Sequence, residues 1–182
     1  MELLDIVDES GEPTGAVAER GEVHARGLLH RTSHVWLLRR RNGRAEVLLQ
    51  HRCATKESCP SCYDISSAGH IPAGCGFVES ALRELREELG ILTTADELIY
   101  CGRRRFRYDR VERGGEYIDN QISNIYALWC DVEASDLHVQ SSELDGVMWI
   151  PFDDCVEAVA NNSIRHCIVP EELEILRRGA GL

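Results

Sequence analysis

The sequence predicts an α/β protein in which helices pack in layers on a β-sheet. Three observations indicate this class. Short apolar, β-prone runs alternate with turn sequences, three other segments are predicted helices, and 43% of the 182 residues are hydrophobic, which is enough for a substantial core. Because no internal repeat, low-complexity tract or obvious linker interrupts the sequence, we expect a single domain over residues 1–182.

The N-terminal residues predict a β-hairpin. Residues 3–7 and 14–18 are short β-prone runs on either side of Ser10-Gly11-Glu12-Pro13, a turn-rich sequence. We therefore expect residues 1–30 to form a hairpin extension ahead of the main sheet.

The remaining elements follow from periodicity and turn chemistry. The apolar runs 34–38 and 47–50 lie on either side of Asn42-Gly43, a dipeptide that favours tight hairpin turns, so they are predicted to pair. Pro170 stands at a position typical of a first helical turn. Further strands are predicted at 64–69, 98–100, 121–130 and 146–150, and helices at 79–89, 153–160 and 171–178.

Charge and hydropathy exclude two classes of partner. Lys and Arg number 20 against 31 Asp and Glu, a formal net charge of −11, whereas a general nucleic-acid coat needs a basic face. No apolar run approaches the roughly 20 residues of a membrane span. The acidic N-terminus lacks the basic and apolar regions of a signal peptide. We expect a cytoplasmic protein that binds neither nucleic acid nor membrane.

The eight cysteines are interpreted as reduced thiols. Without a secretory signal a disulfide framework is not expected. Cys59 and Cys62 are the one close pair, and no second pair at matched spacing completes a zinc site. A redox or metal function of this pair remains the alternative.

The stretch that carries chemistry is residues 69–91, GHIPAGCGFVESALRELREELGI. On a helix over 79–89, Leu82, Leu85 and Leu89 fall on one side and predict a buried stripe. Three glutamates cluster on a different face.

These glutamates, Glu84, Glu87 and Glu88, are spaced i, i+3 and i+4. Like charges at this spacing repel and cost a few tenths of a kcal/mol. A divalent cation reverses that cost, and hard oxygen ligands suit Mg²⁺ or Mn²⁺, which commonly bind substrate phosphates. Taken alone, the cluster is also compatible with a solvated helix face.

The wider pattern resembles the Nudix box. Gly69 starts it, and Arg83-Glu84-Leu85-Arg86-Glu87-Glu88-Leu89-Gly90-Ile91 completes it without a mismatch. The resemblance implies an α/β/α sandwich with a mixed β-sheet behind the N-terminal hairpin. It also implies a pyrophosphohydrolase that uses Mg²⁺ or Mn²⁺ and splits a nucleoside diphosphate-linked or similar small substrate.

The resemblance also implies roles for particular residues. Glu84, Glu87, Glu88 and the main-chain carbonyl of Gly69 would hold the metal, and Arg83, Glu87 and Glu88 would belong to the catalytic group. Many family members take one further acidic residue from outside the box. The candidates here are Asp119, Glu116 and Glu143.

One box position departs from the family. Cys75 stands where the family has a glutamate that pairs with the box arginine. We hypothesise that Glu79, four residues before Arg83, supplies the missing carboxylate. Alternatively, Cys75 indicates a catalytically weakened domain that binds a nucleotide without efficient turnover.

Residues 2–155 further resemble the subgroup that contains isopentenyl-diphosphate isomerases and their hydrolase relatives. The isomerases carry Cys-Gly-His where this chain has Ala68-Gly69-His70, and Glu-Asn-Glu where it has Asp119-Asn120-Gln121. The missing thiol, the missing carboxylate and the intact box all favour hydrolysis over isomerisation.

Three histidines match the isomerases' metal-binding positions: His24, His30 and His70. A second metal site and a hydrogen-bonded structural cluster are both open interpretations.

Substrate recognition is assigned to a basic run. Arg103, Arg105 and Arg107 are predicted to hold phosphate oxygens, since guanidinium groups match phosphate geometry. A solvated basic face is the alternative. Tyr63, Phe106 and Tyr108 are candidates for stacking on a ring or for core packing. By resemblance a homodimer is also expected.

Overall fold

The computed structural model describes residues 2–56, 58–112 and 115–182, with side chains described throughout these ranges except at 110–116. The strands are β1 (Leu3–Val7), β2 (Pro13–Glu19), β3 (His30–Arg41), β4 (Arg44–Arg52), β5 (Tyr63–Asp64), β6 (Ser67–His70), β7 (Ile99–Glu112), β8 (Gly115–Trp129) and β9 (Leu144–Pro151). The α-helices are α1 (Arg20–Arg26), α2 (Phe77–Leu89), α3 (Phe152–Asn161) and α4 (Pro170–Ala180), and short 3-10 helices span Ala95–Glu97 and Ala134–Asp136.

Two sheets organise the strands. β1 and β2 pair antiparallel as the predicted N-terminal hairpin. The main sheet runs β5-β4-β3-β8-β7, with β6 also paired to β3 and β9 to β4. β3 and β8 run parallel, and the other described pairs are antiparallel. The predicted mixed sheet is therefore confirmed.

The sheet is covered by helices on both faces, which confirms the predicted α/β/α sandwich. Side chains alternate along a strand, so Val35 and Leu37 of β3 pack in one cluster with Leu85 of α2. Trp36 and Leu38 pack in the opposite cluster, which α3 and α4 cover. No α-helix in the described part of the chain is long and apolar enough to cross a membrane.

The turn at Asn42-Gly43 forms as predicted. Both residues have positive φ, 51° and 78°, as a two-residue hairpin turn of this kind requires, and Arg41 pairs with Arg44 across it.

The predicted strand over 64–69 is wrong in one respect, because the structure divides it into β5 and β6. Ser66 is buried at the break. Its hydroxyl donates to the Leu48 carbonyl (2.7 Å) and accepts from the Leu37 amide (2.8 Å). The side chain thus bridges β4 and β3 where they separate. That separation opens the sheet, and β6 crosses to pair with β3.

Two further elements differ from the sequence prediction. The short helix α1 was not predicted, and β7 extends through the basic run 103–107. In α2, Leu85 and Leu89 are fully buried as predicted, but Ala81 completes the buried stripe and Leu82 lies half-buried outside the apolar cluster.

We predict that Leu85→Ala lowers the free energy of unfolding by about 3 kcal/mol, because it removes a fully buried side chain and leaves a cavity. Urea denaturation measures the loss. Leu82→Ala, the matched control on the same helix, should cost under about 1.5 kcal/mol. Equal losses in both variants would contradict the assigned packing of α2.

Candidate active site

A cavity of about 880 Å³ opens where the main sheet separates. It brings together five of the acidic residues singled out in the sequence. Its lining includes Gly69, Glu84, Glu87, Glu88, Asp119 and Glu143. β6 and the exposed side of α2 form one wall, while β7 and α4 contribute the wall across the sheet.

Glu88 is the most enclosed of the three helix carboxylates, with 6% of the residue exposed. Its Oε2 accepts hydrogen bonds from the Ser67 hydroxyl (2.7 Å) and the Ala68 amide (3.3 Å), both on β6. Burial raises the pKa of Glu88 to about 7, although the bond from Ser67 opposes that rise. A nearby cation would therefore stabilise the ionised form of this carboxylate.

Gly69 is required by the approach of Glu84. A Cβ at this position would lie 2.2 Å from Cδ and Oε1 of Glu84, so only glycine allows the helix side chain to cross the strand. Burial raises the pKa of Glu84, and the adjacent Arg83 opposes that effect. Arg83 donates to Oε1 of Glu84 (2.5 Å) and to the His70 carbonyl (3.1 Å).

The acidic candidates outside the helix lie in the same cavity. Asp119 lines it from β8, with Oδ1 3.9 Å from Nε2 of His30. Glu143 lines it just before β9 and pairs with Lys56. The side chain of Glu116 lies outside the described residues.

The three arginines predicted to bind phosphate make other contacts in the structure. Arg103 donates to Ser10 and Asn124, Arg105 to Glu9, and Arg107 to Asp109. They are odd-numbered positions of β7 and share the face turned towards the N-terminal hairpin. None of the three is among the described residues that line the cavity.

A different set of cations lines the cavity: Arg20, Arg52, Lys56 and Arg104. Sequence reasoning missed Arg20, Arg52 and Lys56 because none of them belongs to a basic run. Only Arg104 had a usable signal. It is the even-numbered member of the basic run, so strand alternation sends it to the face opposite its neighbours.

Three histidines meet at one side of the cavity. Ring nitrogens of His24, His30 and His70 lie within 4.8 Å of one another, and Nε2 of His24 is 3.1 Å from Nε2 of His70. Nδ1 of His30 lies 3.0 Å from the Leu28 carbonyl, a contact that directs Nε2 towards the cluster. Burial lowers the pKa of His30 and His70, which favours the neutral rings that metals bind.

Comparison with known proteins identifies the family. The chain matches the NUDIX domain over residues 28–169. It belongs to the Nudix family. Nudix hydrolase 3 of Arabidopsis thaliana is 36% identical over 157 residues, a match covering 84% of this chain but only 20% of the plant protein. An uncharacterised Nudix hydrolase of Clostridium acetobutylicum, CA_C0446, is 34% identical over 160 residues, covering 88% of this chain and 75% of that protein.

Other relatives bear on fold and subgroup. Isopentenyl-diphosphate Delta-isomerase of Escherichia coli is 28% identical over 148 residues, covering 81% of this chain and 76% of the isomerase. The crystal structure of DR0079 from Deinococcus radiodurans superposes with a TM-score of 0.70 at 18% identity, covering 95% and 98% of the two chains. The NUDIX domain of Shewanella oneidensis NrtR complexed with ADP ribose superposes with a TM-score of 0.56 at 14% identity, covering 83% of this chain and 86% of that one.

The structure shows what surrounds Cys75, the box position that departs from the family pattern. Cys75 lies in the loop before α2, where its carbonyl accepts from Arg31 (3.1 Å). Glu79 is exposed, and its carboxylate accepts from the Gly76 amide (3.3 Å) at the start of the helix. Glu84 is the carboxylate paired with Arg83. The hypothesis that Glu79 replaces the missing partner is therefore corrected.

We predict that Gly69→Ala weakens Mn²⁺ binding by about tenfold or more, because the added methyl group pushes Glu84 away from β6. Calorimetric titration with Mn²⁺ measures the change. Gly76→Ala is the matched control, since a Cβ at Gly76 has no described atom within 4 Å. Indistinguishable affinities in the two variants would count against Glu84 as a ligand.

Proposed function

We propose that this protein hydrolyses the diphosphate linkage of a small substrate in a reaction that depends on Mg²⁺ or Mn²⁺. One observation carries the proposal: Glu84, Glu87 and Glu88 share a cavity with Gly69 and with four basic side chains. Carboxylates attract a divalent cation, while guanidinium and ammonium groups attract phosphate oxygens. A diphosphate can therefore be bound from both sides. A nucleoside diphosphate-linked compound is the expected substrate.

The carboxylate wall fits a hard divalent cation. It offers oxygen donors on one helix face, and burial makes two of them, Glu84 and Glu88, costly to ionise without a compensating charge. The close approach of Glu84 to Gly69 brings side-chain oxygens beside β6, whose glycine carbonyl completes the proposed ligand set. When bound, the cation neutralises phosphate oxygens and makes a water molecule easier to deprotonate.

The remaining roles fall to side chains around the cavity. Arg83 orients Glu84 through their hydrogen bond, and Arg52 and Lys56 are placed to bind phosphate oxygens. A water oxygen forms a bond to phosphorus, the bridging oxygen departs with its electron pair, and a carboxylate accepts the proton from the water. Asp119 and Glu143 are the candidates for that base outside the helix.

We predict that Glu88→Gln lowers kcat by about a hundredfold or more, because the amide keeps the size of the side chain and removes its charge. Phosphate release from a panel of diphosphates with Mg²⁺ or Mn²⁺, ADP-ribose included, measures it. Glu79→Gln is the matched control on the same helix, since Glu79 contacts the Gly76 amide. Wild-type activity that persists after chelation of all divalent cations would contradict the mechanism.

A second candidate function is isomerisation of an isopentenyl diphosphate. The histidine cluster favours it, because the isomerase resemblance assigns those positions to metal binding and the three rings do meet. Two other positions oppose it. Ala68 lacks the thiol and Gln121 lacks the carboxylate that the resemblance assigns to proton transfer. The same cluster also suits a second cation beside a hydrolytic centre.

Product analysis separates the two candidates. With a prenyl diphosphate in D₂O, we predict release of phosphate or a monophosphate and no exchange of carbon-bound hydrogen, because the described cavity lacks the thiol at residue 68. Phosphate assay and proton NMR provide the two measurements. Carbon-bound deuterium without phosphate release would identify an isomerase.

A further inference from the structure

Two cysteines from distant parts of the chain meet at the cavity. Cys59 lies in the loop between β4 and β5, and Cys167 lies in the segment between α3 and α4, 108 positions later. The thiol of Cys167 is hydrogen-bonded with that of Cys59. Both residues are partly exposed and line the cavity, so a dissolved small molecule can reach them.

This pair differs from the one that the sequence spacing suggests. Cys62, the near neighbour of Cys59 in the sequence, is 6% exposed and is not among the described residues that line the cavity. Its thiol donates to the Pro60 carbonyl, within its own loop, at 3.6 Å. Among the described residues, the three side chains that converge closely enough to hold a metal ion are histidines. The structure therefore favours thiol chemistry between Cys59 and Cys167 over a metal site.

Backbone hydrogen bonds hold Cys167 against the strand that follows the Cys59 loop. The Cys167 amide donates to the Tyr63 carbonyl (3.0 Å), and the Tyr63 amide donates to the Arg165 carbonyl (2.8 Å). The Cys167 thiol also donates to the Tyr63 carbonyl at 3.6 Å. Tyr63 begins β5 only four residues after Cys59. The main chain therefore brings the two thiols together without a rearrangement of the fold.

A guanidinium group lies beside both thiols. Arg52 donates through Nε and Nη2 to the carbonyl of Ser58, the residue before Cys59, at 3.1 and 2.8 Å. The hydrogen bond with Cys59 and burial raise the pKa of Cys167, and the charge of Arg52 opposes that rise. A nearby cation stabilises a thiolate, which is the form that attacks a disulfide. Because Cys167 retains its proton, the first attack is assigned to Cys59.

We propose that Cys59 and Cys167 form a reversible disulfide by exchange with a low-molecular-weight disulfide such as oxidised glutathione. The Cys59 sulfur bonds to one glutathione sulfur, the S–S bond of glutathione breaks, and its other sulfur leaves with the proton from Cys59. The Cys167 sulfur then bonds to the Cys59 sulfur and displaces the second glutathione, which leaves with the proton from Cys167. Two thiols are oxidised while one glutathione disulfide is reduced, and an excess of reduced glutathione reverses the exchange.

The bond would link two cavity-lining segments. It would join the β4–β5 loop, which carries Lys56, to the segment that leads into α4. The two cysteines enclose more than 100 residues, and a cross-link across so long a stretch stabilises the folded state by restricting the unfolded chain. Oxidation should therefore be visible as a rise in Tm as well as a new covalent link.

Incubation of the intact, substrate-free protein with oxidised glutathione tests the proposal. Mass spectrometry of unreduced digests should find a Cys59–Cys167 link with no glutathione on either residue, and dithiothreitol should remove the link. Oxidation should raise the Tm by about 5 °C or more. Cys167→Ser should stop at the mixed disulfide, retain one glutathione on Cys59, and lose the rise in Tm.

Cys62→Ser is the matched control, because it removes the other thiol of the same loop. It should form the same link and show the same rise in Tm. A Cys59–Cys62 link, a wild type that retains glutathione on Cys59 as Cys167→Ser does, or two thiols that remain unmodified would overturn the proposal. Each measurement is made without substrate, so its outcome is independent of the hydrolytic function proposed above.

Discussion

Crowding of negative charge around one glycine is the constraint on which the site depends. Glu84 and Glu88 lie on one side of α2 and are both largely removed from water, so burial raises the pKa of each. The opposite side of the helix offsets this cost, because Leu85 and Leu89 are fully buried against the sheet. Burial of the two leucines holds the helix in place despite the repulsion among its carboxylates. The lack of a side chain at Gly69 leaves room for Glu84 beside β6.

Strand β7 serves two structures at once. Two of its odd-numbered arginines contact the N-terminal hairpin, since Arg103 donates to the Ser10 carbonyl and Arg105 pairs with Glu9. Its even-numbered positions, Arg104 among them, face the cavity. Because successive side chains of a strand point to opposite faces of the sheet, the basic run does not form one phosphate-binding surface. Arg103 and Arg105 face the hairpin, and Arg104 faces the cavity. β7 therefore connects the extension to the candidate site, and Arg20 of the extension lines the cavity directly.

Local signals in the sequence were sufficient for much of the fold and for one wall of the site. The Asn42-Gly43 turn, the hairpin around Ser10 and the helix that carries Glu84 and Glu88 all depend on contacts between near neighbours in the chain. Turn chemistry and helical period report such contacts directly. The break between β5 and β6 was missed because it depends on the buried Ser66 bridging two other strands.

The sequence by itself determined the Nudix box, the carboxylate-bearing helix and the α/β class, since each is written in residues close together in the chain. Only the tertiary structure decided what faces those carboxylates. Glu172 and His34 are 138 residues apart, yet they share one hydrogen bond. Arg52, Lys56 and Arg104 meet the box through the pairing of strands from separate parts of the chain. The register of the sheet determines which of these residues lie close together. Register depends on the packing of the whole core rather than on any local pattern.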